Sequence, residues 1–358
     1  MNTVKVSIVG STGYVGAEVV HGFLAHPGVE FVYLTSETFK GKKFSDIYPV
    51  YRGILDKELV STEDVSYETI GKESDLVITA LPHGVSSKVV PQLIEAGCRV
   101  IDHSGDFRYK DLATYTKSYK LEHPHPELLK TAVYGLPELY REELKTSKLT
   151  ANPGCYPTCS ILALTPFLKA GLIEKEGIII DATSGVTGAG RKEKLEYSFC
   201  EVDESFKPYG VTGHRHNTEI NEQLSFQAGD ETGKSVKAAF TPHLAPFKRG
   251  MLASIYCKPT KLFEQVSTEA VQDVLNKYYE NEEFVRVLPK GVLPDVKCVN
   301  GSNFIDITGV YDEDTGLIKL FSAQDNLGKG AALQAIQAFN VMFGFPEGTG
   351  LSTLTRGV

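Results

Sequence analysis

The sequence predicts an α/β chain of two domains, a doubly wound parallel sheet followed by an α+β domain on a mixed or antiparallel sheet. Three observations carry that expectation. At 358 residues the chain is longer than one ordinary core accommodates. Its opening "VKVSIVGSTGYVGAEVV" reads as a buried strand, a glycine-rich turn and a helix. Beyond the helix that follows Cys155, the pattern becomes strand-rich.

Composition narrows the class. A hydrophobic share of 42% and a charged share of 23% are those of a globular protein. The net charge of −8 argues against nucleic-acid and anionic-membrane partners, which need clustered positive charge. Six cysteines, with no secretory apolar region after "MNTVKVSIVG", point to a reducing cytoplasm rather than a disulfide framework. No apolar run approaches the ~18 residues of a membrane span, and no solenoid-like repeat or low-complexity tract is visible.

In the first domain, Val4, Val6, Ile8 and Val9 form a parallel strand, and Val15, Val19, Val20, Phe23 and Leu24 form the apolar face of the next helix. Between them lie Gly10, Ser11, Thr12, Gly13, Tyr14, Val15 and Gly16, followed by a second strand over Glu30 to Leu34. A glycine turn lets the backbone approach a pyrophosphate, and the helix start supplies N–H donors and positive partial charge. This is a Rossmann-type dinucleotide signature with GxxGxxG spacing. At the end of the second strand Thr35, Ser36, Lys40, Lys42 and Lys43 favour the 2′-phosphate of NADP, whereas Glu37 speaks for the ribose hydroxyl of NAD. The strands "SDLVITALPHGVS" and "CRVIDHSGDFR" end in loops that carry Pro82 and His83, and Asp106 and Arg108. Both loops belong to the same carboxyl rim as the glycine turn. His83 is given no catalytic role.

In "LTANPGCYPTCS" a strand ends at Ala151, Asn152-Pro153-Gly154 turn the chain, and Pro157 suits the first turn of a helix running to Gly171. Cys155 therefore stands at a helix N-terminus, where the dipole and free N–H groups favour a thiolate. The alternative is a small buried apolar residue, which is the expectation for Cys159 one turn on. The N–H groups of Cys155 and Tyr156 are candidate oxyanion donors from the same position.

The second domain is expected over 155–325, with 1–154 and 326–358 forming the nucleotide domain. "GIIIDATSGVTGAGRK", "SVKAAFTPHLAPFKRGMLASIYCKP" and "NFIDITGVYDEDTGLIKLFSAQDN" supply its strands, with a helix over Glu264 to Tyr279 between the last two. The final helix, with Ala332, Ile336, Phe339 and Phe343 on one face, is expected to pack on the first domain. Three clusters are rich in donors. The glycine loop "SGVTGAGRK" reads as an anion nest or as a hairpin with a basic tip. "GHRHNTEI", with His214, His216 and Glu219, reads as acid/base machinery or as a solvated helix start. "PHLAPFKRG" carries His243, Lys248 and Arg249. The His and Cys spacings match no familiar metal site, so none is expected.

A nicotinamide hydride, a helix-terminal thiolate and a histidine together make a thioester-forming aldehyde dehydrogenase or acyl-phosphate reductase. No Tyr has a Lys four residues on, which counts against short-chain dehydrogenase chemistry.

From "GSTGYVGAEVV" through "LPHG", "DHSGDFR", "YGLPEL", "ANPGCYPT", "SGVTGAGRK", "GHRHNTEI" and "PHLAPFKRGML" to "NLGKGAA", the chain resembles the N-acetyl-gamma-glutamyl-phosphate reductases of arginine biosynthesis, in the aspartate-semialdehyde dehydrogenase superfamily. "NPGCYPT" together with "HRHNTEI" is the specific part. The resemblance implies that Cys155 attacks an acyl phosphate and that NADP(H) delivers the hydride, with His216 as acid/base and Glu219 orienting it or contacting substrate. It implies Arg108 and Asn152 as substrate ligands, Arg108 for the phosphate. Ser184, Gly185, Gly188 and Asn326 would lie on the nicotinamide side, and Arg191, Tyr209 and Arg249 near the carboxylate and acetamido ends. It further implies a homodimer or homotetramer. The alternatives are aspartate-semialdehyde dehydrogenase itself, a carrier-linked aminoadipate reductase, and a non-catalytic NADP-binding redox sensor.

Overall fold

Val4–Val9 (β1) is buried at nearly every position, as a strand covered by helices on both faces must be. It sits inside a six-stranded sheet in the order β2-β1-β3-β4-β6-β5, with β2 Val29–Leu34, β3 Leu76–Thr79, β4 Arg99–Asp102, β5 Val133–Tyr134 and β6 Leu149–Ala151. All its pairs are parallel. The computed structural model describes residues 3–351, and the chain divides into two compact units. The first runs to Pro153 and resumes at Ala331–Leu351; the second is Gly154–Gly330. The return thus comes at Ala331 and not at 326, so Asn326 lies in the second unit, contrary to the expected boundary.

The helix Leu333–Phe343 belongs to the first unit and is buried on all sides from Leu333 to Met342, not along one stripe. Phe339 meets Phe23 edge-on at 5.0 Å between centroids. Its polar positions are buried because each finds a partner: Gln334 donates to the Gly135 carbonyl, Gln337 to Glu138, and Asn340 to the carbonyls of Glu347 and Thr349.

The second unit is built on a seven-stranded sheet, ordered β11-β12-β13-β10-β7-β9-β8. Its strands are β7 Glu176–Ser184, β8 Lys207–Pro208, β9 Lys237–Leu244, β10 Met251–Cys257, β11 Val285–Val287, β12 Ile305–Asp312 and β13 Leu317–Gln324. The sheet is mixed: β7/β9 and β11/β12 are parallel and the other pairs antiparallel. One face of β10 buries Met251, Ala253, Ile255 and Cys257 by strict alternation. The helix expected from Glu264 starts at Thr268, because Ser267 caps it by accepting from the Ala270 N–H at 3.1 Å.

Candidate active site

In the first unit the strand order reverses between β1 and β3, the place where open parallel sheets bind ligands. Gly10 follows β1 with φ +86°, and a Cβ there would come within 2.6 Å of the carbonyl of Ala80, which follows β3. A Cβ on Gly16 would lie 2.3 Å from the Gly10 oxygen. The fold itself therefore requires both glycines. Gly13 is different: it caps the helix Tyr14–Leu24, and the nearest atom to a Cβ there is 3.8 Å away. Its bareness leaves the helix start open, with Tyr14 and Val15 in the first turn, which suits an approaching phosphate. A Gly16→Ala protein is expected to lose about 1–3 kcal/mol of stability by overpacking, whereas Gly13→Ala is expected to keep its melting temperature and lose dinucleotide affinity. Thermal melts paired with NADPH titrations check both.

The neighbouring hydroxyls are organised. The Ser11 hydroxyl donates to the Thr35 carbonyl at 2.9 Å, Thr12 and Ser36 share a bond of 2.9 Å, and Thr35 accepts from the Gly10 N–H at 3.1 Å. Thr35 is thus a brace for the turn. Glu37 accepts from the Thr62 N–H and hydroxyl at 3.0 and 2.9 Å, and Lys40 pairs with Asp64 at 2.7 Å. His83 accepts from the Gly105 N–H, which holds the loop that Pro82 opens.

At the ends of β4 and β6, Arg108 is buried and donates to the His103 carbonyl at 2.8 Å. Asn152 is fully buried, and its amide N–H₂ donates to the Ala331 carbonyl at 2.9 Å and to His103 Nδ1 at 3.2 Å. His103 therefore carries its proton on Nε2. Burial, aided by Arg108, lowers its pKa to about 3 and keeps it neutral. Nothing in the sequence pattern singled out His103; it stands in "DHSGDFR" only as a neighbour of Asp102.

In the second unit Cys155 is the first residue of the helix Cys155–Lys169, with Gly154 as an extended cap. Helix geometry gives the N–H groups of Cys155 and Tyr156 no partner within the helix, and Pro157 has none to offer. Glu219, 1% exposed, accepts from the Gly154 N–H at 3.0 Å and so joins the start of this helix to the helix Arg215–Gln227. Gln324 donates to the Cys155 carbonyl at 2.6 Å. His214 caps the second helix, its Nδ1 accepting from the His216 N–H at 3.1 Å. Burial, with Arg215 beside it, pushes His214 down to about 4, which preserves that acceptor. Tyr156 packs edge-on to His216 at 5.9 Å, donates to the His243 carbonyl and accepts from the Tyr209 hydroxyl at 3.2 Å.

A cavity of about 490 Å³ brings Cys155, His216, Ser184, Gly188 and Tyr209 together. Lys194, Lys207 and Arg215 line it as well, and sequence reasoning missed all three; the only signal was the place of Lys194 and Lys207 between the glycine loop and "GHRH", and of Arg215 inside "GHRH" itself. Of the second-unit residues expected at the site, Gly185, Arg191, Glu219, Arg249 and Asn326 stand outside this lining. Arg191 is exposed and outside this lining. Arg249 does not present itself to a ligand's carboxylate: its Nε holds the fully buried Asp325 at 2.7 and 2.6 Å, since a carboxylate out of water needs a countercharge. Asn326 accepts from the Gly250 N–H at 2.7 Å and donates to Thr187 at 3.0 Å, bracing the glycine loop. A Cβ on Gly185 would meet the backbone of Phe247 and Arg249 at 2.8 Å, so that loop also requires its glycine. Burial raises Cys159 to about 12, leaving it inert beside Cys155. Among the described residues no group of three or more His, Cys, Asp or Glu is placed to hold a metal ion, and no helix is long and apolar enough to cross a membrane.

Residues 5–147 match the semialdehyde dehydrogenase NAD binding domain and residues 155–326 the semialdehyde dehydrogenase dimerisation domain. The chain is 49% identical over 348 residues to an N-acetyl-gamma-glutamyl-phosphate reductase of Acetivibrio thermocellus, covering 97% of this chain and 98% of that one. It is 46% identical over 351 residues to the protein of that name from Geobacter sulfurreducens, with 98% of each covered. Aspartate semialdehyde dehydrogenase II of Vibrio cholerae shares the fold at TM-score 0.73 and 18% identity, over 96% of this chain and 99% of that one. Aspartate semialdehyde dehydrogenase of Candida albicans, solved with NADP, does so at TM-score 0.69 and 16% identity, over 96% and 99%. The glycine turn at the β1/β3 reversal, a cysteine opening a helix and near-full-length identity agree: the chain belongs to the N-acetyl-gamma-glutamyl-phosphate reductase family, built from the two semialdehyde dehydrogenase domains.

Proposed function

We propose that this chain reduces N-acetyl-L-glutamyl 5-phosphate with NADPH to N-acetyl-L-glutamate 5-semialdehyde and phosphate, a step of arginine biosynthesis. The observation that carries the reading is the cavity in which Cys155, at its helix N-terminus, faces the same space as His216, in a chain whose near-full-length relatives bear the reductase name.

The roles follow from chemistry. His216 takes the thiol proton and Cys155 adds to the acyl carbon; the carbon–oxygen bond to phosphate breaks and a thioester remains. Arg108 and Asn152 hold the departing phosphate, which takes up one proton from solvent. The N–H groups of Cys155 and Tyr156 receive the oxyanion at each tetrahedral stage. The bound dinucleotide supplies a hydride to the thioester carbon. His216 then protonates the resulting oxyanion and removes that proton again as the C–S bond breaks. The aldehyde leaves, and the proton returns to the Cys155 sulfur. Ser184, Gly185, Gly188 and Asn326 form the nicotinamide side, where Asn326 keeps the glycine loop in place.

NADP(H) is supported by the Thr12–Ser36 hydroxyl pair beside the open helix start and by the engagement of Glu37 with Thr62, which occupies the carboxylate that NAD would use. The working form is a homodimer or homotetramer. The dimerisation-domain match supports it, as does the outer face of the second sheet, where exposed Ile179 pairs in register with half-buried Tyr256. The place of work is the cytoplasm, consistent with six free thiols.

The test is run in reverse, following nicotinamide absorbance with NADP⁺, phosphate and either N-acetylglutamate 5-semialdehyde or aspartate semialdehyde. Turnover is expected with the acetylated aldehyde and to depend on phosphate. Turnover confined to aspartate semialdehyde would overturn the substrate assignment.

A further inference from the structure

The cavity that holds Cys155 is lined by three cations, Lys194, Lys207 and Arg215, against one acid, Glu196. Glu196 is taken by Lys194 at 3.3 Å. Lys207 stands differently. Its backbone is fixed on the sheet edge, paired in register with Leu244, which also lines the cavity. Pro208 follows it, and Tyr209 is tied back to the Pro242 carbonyl at 3.0 Å. Among the described residues the Lys207 ammonium makes no hydrogen bond and closes no ion pair within 4.0 Å, although its charge, with that of Lys194, helps to lower the pKa of Glu196. An exposed ammonium at the wall of a cavity with more cations than acids, held by no hydrogen bond, is a receptor for an anionic group of the ligand.

Cys155 takes the reacting carbonyl, so the group that Lys207 meets lies at the other end of the substrate. We propose that Lys207 is the specificity-determining cation for the α-carboxylate of the aldehyde or acyl phosphate. The positive lining around it also disfavours a free α-ammonium, so that N-acylated substrates are selected over free amino acids. This rests on the reductase reading above and deepens it. A lysine is suited to the task because a flexible ammonium can follow a carboxylate through the reaction without fixed bidentate geometry.

Wild type, Lys207→Met and Lys207→Arg are compared on N-acetylglutamate 5-semialdehyde and on 4-acetamidobutanal, which is the same aldehyde without the carboxylate. Lys207→Met is expected to raise KM for the carboxylated aldehyde about 10- to 100-fold, with the loss in KM rather than kcat, and to weaken the analogue far less. Lys207→Arg is expected to recover most of the loss. Preference of the wild type for the carboxylated aldehyde should shrink by the same factor. Equal losses on both aldehydes, or an unchanged KM in Lys207→Met, would overturn the assignment to the carboxylate. A wild type that turns over neither aldehyde would instead remove the reductase reading, and this assignment with it.

Discussion

A Cys155→Ser protein is expected to fold, to bind NADPH as tightly as the wild type and to lose turnover of N-acetylglutamate 5-semialdehyde by about 10⁴-fold or more. The substitution exchanges one atom at a half-buried site. It leaves untouched the helix cap, the bond from Gly154 to Glu219 and the bond from Gln324 to the Cys155 carbonyl, all of which involve the backbone of this segment. What changes is ionisation. A helix N-terminus favours a thiolate over a thiol, whereas a serine alkoxide lies far beyond that help. A serine in this place is therefore not activated, and neither thioester nor ester forms. Steady-state rates beside an NADPH titration decide it: residual turnover within tenfold of wild type would show that another group attacks the carbonyl. Cys98, Cys159 and Cys257 are poor replacements, since burial raises each to about 12.

His216→Asn is expected to cost about 10²- to 10⁴-fold in kcat/KM, the range for removing a general acid/base, with dinucleotide affinity retained. His214 is not a rival for that role. With its pKa pushed down to about 4 by burial, it remains a neutral acceptor for the His216 N–H throughout the working range. Its loss is a lost cap, about 1 kcal/mol of stability, and not a lost proton transfer. A kcat/KM in His216→Asn within tenfold of wild type would assign the proton transfer to another residue and sink the proposed role.

Much of this site was legible in the residues because it depends on local geometry. Gly10 and Gly16 are explained by atoms a few positions away or on the adjacent strand. Cys155 opens a helix because Asn152-Pro153-Gly154 turns the chain and no later residue can change that. His214 and His216 meet through an N-cap bond two residues long. The expected helix from Glu264 began late for the same kind of local reason, a serine cap that the apolar pattern did not reveal.

Charges were harder to place. Arg249 looked available for a ligand and proved to hold Asp325, a partner 76 residues away. Arg191 looked well placed beside the glycine loop, yet Lys194, Lys207 and Arg215 line the cavity instead. His103 entered through Asn152, which follows a strand that comes only after a long excursion. By itself, then, the sequence determined the elements, the glycine turn and the cysteine at its helix start, since short-range sterics and hydrogen bonding decide these. The tertiary structure alone decided which cation is neutralised and which is left facing the cavity. Coulomb energy depends on distances between residues that only folding brings together, and on burial that only packing creates.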